Sequence, residues 1–195
     1  MDLVVNKSFT LKSPDDVYNQ YSAPIWEIEI NDSTLDSPDF LQALTIQSNY
    51  ETSGYHHDSL RKKFTGAMPA SLENAVTNQL LDIVLEDQFV SSRFPMGTQW
   101  YRNRCVWSPS IFMDLPGFRM SPHIDNSHVM VHMIVNLVQD NSNATDFYYF
   151  DQDDPVYRAP TKKHHGVLFV NTPGAMHALK PVLTPRWIWY AQLLI

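Results

Sequence analysis

The chain carries a single cysteine, Cys105, among 195 residues. One thiol cannot close an intramolecular disulfide, so the fold rests on its core, and a reducing compartment is the expected setting. Basic residues are also in short supply, with 14 Lys+Arg against 21 Asp+Glu and a formal net charge of −7. A surface of that sign repels a phosphate backbone, which makes nucleic acid a poor partner. No run reaches the roughly 18 apolar residues of a membrane-crossing helix. The opening residues Met1 to Lys7 contain no basic segment followed by an apolar one. These absences lead us to expect a cytoplasmic protein with no membrane partner. Internal repeats are absent as well.

What is present is apolar: hydrophobic residues make up 44% and aromatics 12%, enough to bury a core and to argue against disorder. The length suits one domain, 1–195, in two unequal parts. Residues 1–95 read as a mixed helix and strand buttress. Within it, Ile25 to Ile30 alternates as a strand does. Ser37 stands as an N-cap before Pro38, predicting a helix over Ser37 to Ser48. Leu72, Val76, Leu80, Ile83 and Val84 recur at helical spacing from an N-cap at Ser71, predicting a helix to Val90. Residues 96–195 read as strands: Trp100–Trp107, Ile111–Met113, Val129–Val138, Asp146–Phe150, Gly166–Val170 and Trp187–Ile195. The expected fold class is mainly β with flanking helices.

Histidine and carboxylate fall in a suggestive pattern. A bare His-x-Asp arises easily by chance, and this chain has two, His56-His57-Asp58 and His123-Ile124-Asp125. The first lies in a basic stretch without strand alternation, which offers no rigid frame. The second lies between a short extended segment and the strongest β run. Residues two apart in an extended chain face one side, so His123 and Asp125 can reach one ion together. His177 follows the turn Asn171 to Gly174 and supplies a third ligand from a distant strand. Two imidazoles and one carboxylate suit Fe(II) and leave coordination positions open. Arg186 lies in an otherwise apolar, aromatic strand, where an unpaired arginine is costly.

The run Asp114 to Asn126 (DLPGFRMSPHIDN), the later His177 and the final Arg186 resemble the Fe(II)/2-oxoglutarate-dependent dioxygenases, with the prolyl-hydroxylase-like branch nearest. The likeness spans roughly residues 99–195. It implies a double-stranded β-helix, or jelly-roll, core and a metal held by His123, Asp125 and His177. It further implies Fe(II) as cofactor, 2-oxoglutarate as co-substrate and O2 as oxidant. Arg186 would grip the far carboxylate of 2-oxoglutarate, since its planar fork matches a carboxylate and stays charged when buried. Thr184, Asn136 and Asn126 are candidate hydrogen-bonding positions for the same ligand. Halogenating relatives replace the carboxylate ligand with a small residue, so Asp125 points to hydroxylation. Nucleic-acid-demethylating relatives carry a second arginine where this chain has Gln192. The implied substrate is therefore a peptidyl residue such as proline, or a small molecule.

Other residues admit narrower readings. His128 and His132 share one strand face as core histidines or donors behind the ligands. Trp100, Arg102, Arg104 and Trp107 are candidates for a recognition surface, and Gly54 to Lys63 for a lid. Tyr148, Tyr149, Trp187 and Trp189 read as core, and Cys105 as a buried structural thiol. Two alternatives stay open. One is a cupin-type metalloenzyme that uses no 2-oxo acid. The other is a catalytically silent binding or sensor relative.

Overall fold

The computed structural model describes residues 2–11, 23–53, 59–70, 72, 76–93, 100, 103–138, 143–149, 152–172 and 174–194. In chain order the elements are β1 (Asp2–Leu11), β2 (Ala23–Asn31), α1 (Pro38–Thr45), β3 (Tyr50–Thr52), β4 (Arg61–Phe64), α2 (Val76–Glu86), α3 (Gln88–Arg93), β5 (Val106–Asp114), β6 (Met120–His123), β7 (Val129–Asn136), β8 (Thr145–Tyr148), β9 (Tyr157–Arg158), β10 (His165–Val170), β11 (Met176–Leu179) and β12 (Arg186–Leu194). The fold is β-rich with few helices. Eight strands form one sheet in the order β1-β2-β10-β7-β12-β5-β4-β3, and four form a second in the order β6-β11-β8-β9. No helix among the described residues is long and apolar enough to cross a membrane.

Strand alternation divides the large sheet into two faces. On one face Ile28 of β2, Met133 of β7, Leu168 of β10 and Trp189 of β12 are buried with Phe40 and Leu44 of α1 and Leu80 and Val84 of α2. On the other, Ile25 of β2 and Val167 and Phe169 of β10 pack against Phe147 of β8, in the small sheet. The helices therefore cover one side and the small sheet the other, leaving the remaining inter-sheet space for a pocket.

Ser37 caps α1 as its position before Pro38 predicts, accepting a bond from the Phe40 N–H at 3.3 Å. The helix ends at Thr45, short of Ser48. The apolar repeat near residue 80 forms two helices, α2 and α3, rather than one, and its expected cap at Ser71 lies outside the described residues. Trp100, Asn103 and Arg104 are helical, so no strand runs from Trp100. β5 instead starts at Val106 and continues unbroken through Pro109. Proline is tolerated because β4 pairs with β5 only over Phe112 to Asp114, which leaves Pro109 with β12 alone. Gly166 sits between two strands, where an added Cβ would come 1.9 Å from the Ile134 carbonyl oxygen. The close approach of the β7 backbone requires the missing side chain.

Candidate metal centre

β6 ends at His123, and β11 places His177 directly across from it in antiparallel register. Their ring centroids are 4.4 Å apart. Asp125 follows two residues after His123, where the chain leaves the strand. The Asn171 amide pins that exit, donating to the carbonyls of Asn126 at 2.9 Å and Val129 at 3.0 Å. Asp125 Oδ2 consequently comes 3.3 Å from His177 Nε2, and Asp125 Oδ1 comes 3.8 Å from His123 Nε2. One potential ligand atom from each residue falls within 4.8 Å of the others, the separation a single ion can bridge.

The protonation pattern suits a metal. His123 Nδ1 lies 2.8 Å from the Ser121 carbonyl and His177 Nδ1 lies 3.1 Å from the Ala175 carbonyl. A carbonyl only accepts, so each Nδ1 carries the hydrogen and each Nε2 presents a lone pair inward. Burial holds the His177 imidazole below its ordinary pKa; Asp125 opposes that shift and His123 reinforces it. Neutral imidazole is the metal-binding form. His123 Nε2 and Asp125 Oδ2 are buried without any hydrogen-bond partner, a costly arrangement for polar atoms that an ion would satisfy. The donor set fits Fe(II) or a similar divalent ion.

His132 stands behind this cluster, fully buried on β7 and stacked on Phe169. Its Nε2 approaches Asp125 Oδ2 at 3.1 Å but without hydrogen-bond geometry. Its Nδ1 lies 3.0 Å from the Tyr190 hydroxyl, which also receives Gln192 Nε2 at 2.8 Å. Burial lowers its pKa to about 4; Asp125 works against the shift, while His177 and His123 add to it. It is therefore a neutral imidazole packed beside the Asp125 carboxylate. His128, on the same stretch of chain, is exposed at the pocket edge.

A single pocket is lined by Asp125 and His177 and also by Arg61 and Arg186, with Phe112, Ile134, Ile188 and Tyr190 between them. Arg186 is 4% exposed and contacts Asp114 Oδ2 through Nη2 at 3.0 Å and Nε at 3.2 Å. Arg61 grips the same carboxylate from the other side, Nε to Oδ1 at 2.6 Å and Nη2 to Oδ2 at 2.9 Å. Burial pushes the Asp114 carboxyl up, but the two guanidiniums outweigh it and hold the pKa below the ordinary value. Burial also lowers the pKa of Arg186, against the pull of Asp114. Arginine starts so high that it stays charged.

Thr184 and Asn136 are not in this pocket. Thr184 is exposed in the turn before β12. Asn136 lines a small neighbouring cavity that it shares with Arg186, its amide donating to the carbonyls of Pro160 and His165 at 3.0 Å each, which ties down the loop entering β10. Its donors are consumed by the fold, which corrects its expected ligand role. Asn126 does line the pocket. Trp100 and Trp107 pack half-buried against the large core, and Arg104 lies over the Trp100 ring, so they form no recognition surface at the pocket. Arg102 and residues 54–58 of the expected lid, including the His56–Asp58 triplet, lie outside the described residues. Residues 61–63 belong to β4 and are no lid. Sequence reasoning missed Arg61 as a pocket cation and Asp114 as its partner. The only available signal was that a buried arginine at Arg186 needs a carboxylate.

Fold and site together define a β-rich protein with a two-histidine, one-carboxylate centre. Its fold is shared with known hydroxylases. A prolyl-4-hydroxylase from Pseudomonas putida superimposes with a TM-score of 0.62 at 11% identity, covering 88% of this chain and 92% of that one. A Trichoplax adhaerens prolyl hydroxylase, solved in complex with an oxygen-degradation-domain peptide of hypoxia inducible factor, gives 0.52 at 14% identity, covering 91% and 85%. At such identities the likeness is one of fold. No protein-family profile matches the sequence, and no curated protein matches it.

Proposed function

We propose that this chain is an Fe(II)- and 2-oxoglutarate-dependent hydroxylase of the prolyl-hydroxylase-like branch, built as one domain around a double-stranded β-helix. The observation that carries the reading is one pocket lined both by members of a preformed His-Asp-His cluster and by a buried arginine. His123 Nε2, His177 Nε2 and the Asp125 carboxylate would hold the metal. Fe(II) and 2-oxoglutarate, when bound, supply the activation of O2 that hydroxylates a C–H bond, with 2-oxoglutarate leaving as succinate and CO2. Arg186 receives the far carboxylate of the co-substrate. Phe112, Ile134 and Ile188 give the pocket apolar walls, which limit the water beside the reacting groups. Retention of Asp125 favours hydroxylation over halogenation. The substrate class is a peptidyl residue such as proline, or a small molecule, and the peptide bound to the Trichoplax enzyme supports the former.

One observation favours a second reading. Arg186 already has a carboxylate partner in Asp114, as a purely structural arginine of a cupin-type enzyme would. Anaerobic addition of Fe(II) and 2-oxoglutarate separates the two. The hydroxylase reading expects a visible metal-to-ligand charge-transfer band, lost in His177→Ala and in Arg186→Ala. Stoichiometric metal binding without that band, and metal-dependent activity that survives Arg186→Ala, would establish the cupin-type reading instead.

A further inference from the structure

Arg61, Asp114 and Arg186 form a row of direct neighbours across β4, β5 and β12, with Asp114 in register with both arginines. All three are buried, at 4%, 0% and 4% exposure. The two arginines are held differently. Arg61 spends its fork on both oxygens of Asp114 and stacks against Phe118 at 4.3 Å and Phe112 at 5.1 Å. Such stacking and bidentate pairing fix it in place. Arg186 touches only Oδ2, by its Nε and Nη2, so its second terminal nitrogen is not committed to Asp114. Two cations against one anion leave the row with one net positive charge, and both cations line the pocket. A buried net charge is costly without a counter-ion, so the row is built to receive one anionic group.

We infer that Arg61 is a positioning residue of the anion subsite: it neutralises Asp114, and so leaves the charge of Arg186 to an incoming carboxylate. The inference rests on the hydroxylase reading, with 2-oxoglutarate supplying that carboxylate. Without Arg61, Asp114 would cancel Arg186, and the row would be neutral, leaving only Lys63 as a further cation along the pocket wall. The N-terminal half of the chain thereby sets co-substrate affinity from a strand that carries no metal ligand.

The test measures dissociation constants anaerobically on the Fe(II)-loaded protein, by titrating the charge-transfer band with 2-oxoglutarate or with 2-oxopentanoate, which lacks the far carboxylate. Arg61→Gln is expected to weaken 2-oxoglutarate roughly tenfold or more. It should leave 2-oxopentanoate and Fe(II) affinity within about twofold, which a general loss of structure would not do. The charge-balanced double variant Arg61→Gln/Asp114→Asn, which keeps Arg186 as the one cation of the row, should regain 2-oxoglutarate affinity to within a few-fold of wild type. It also provides the test if the single variant does not fold. Wild-type affinity in Arg61→Gln, or a double variant that folds yet binds 2-oxoglutarate at least tenfold more weakly than wild type, overturns the inference alone. Absence of any band in the wild type withdraws the hydroxylase reading, and this inference with it.

Discussion

Replacing Asp114 by asparagine conserves shape and removes one charge, so it isolates what the carboxylate does for the fold. Asp114 is fully buried and accepts from two guanidiniums, which themselves are nearly inaccessible. Its loss leaves Arg61 and Arg186 side by side without a counter-ion. Removing one partner of a buried ion pair typically costs about 3–5 kcal/mol. For a chain of this size that corresponds to a fall in Tm of roughly 6–20 °C. The pH dependence follows from the sign of the shift. Asp114 is held below its ordinary 3.8, so the unfolded chain takes up the proton first as the medium acidifies. The stabilisation is therefore complete well above that value and is lost as pH falls through the lower, folded-state pKa. Thermal unfolding of wild type and Asp114→Asn from neutral pH downward should show a constant Tm gap above about pH 5 that closes in acid. A gap below about 2 °C at neutral pH, or one that widens on acidification, would refute the reasoning.

Three further outcomes are expected. His132→Phe, which keeps the ring stacked on Phe169 but removes the nitrogen facing Asp125, should lower Fe(II) affinity about 10- to 100-fold by direct titration; unchanged affinity would reduce His132 to core filling. Gly166→Ala should lower stability by roughly 2 kcal/mol or more in urea unfolding, because the new methyl meets the β7 backbone; a neutral effect would mean that the two strands separate without cost. Asn171→Ala should weaken metal binding with little change in Tm, since its amide pins the Asp125 to Val129 turn; an equal metal affinity would show that the turn holds its shape unaided.

The clustering of His123, Asp125 and His177 was legible because two ordinary rules point the same way. Alternation puts His123 and Asp125 on one side, and a β-rich second half leaves His177 a strand from which to reach them. Trp189 and Leu80 were equally readable as core from their periodic, apolar surroundings. The rest failed for physical reasons. β3 and β4 are short and polar (Tyr-Glu-Thr and Arg-Lys-Lys-Phe), so no hydrophobic alternation marks them as strands. β4 depends on pairing with β5, some 50 residues away in the chain, and β3 in turn depends on β4. Arg61 looks like one basic residue among three until that pairing turns it inward. Asn136 misled in the opposite direction: its place on a pocket-forming strand is real, but the loop beside it claims its amide. The expected strands Trp100–Trp107 and Ile111–Met113 leave Pro109 between them, and only the strand order reveals that it sits within β5 on the side β4 does not pair.

Four of the eight strands in the large sheet, β1 to β4, come from the first 64 residues. A piece containing only residues 96–195 would keep His123, Asp125 and His177, yet it would lack the neighbour that β2 gives to β10 and that β4 gives to β5. Two backbone edges would lie bare, inviting self-association. The two halves expressed as separate polypeptides would thus have a strong reason to find each other. Reassembly from such pieces would restore the pocket cation along with the missing strands, making the anion subsite itself a reporter of whether the halves have rejoined.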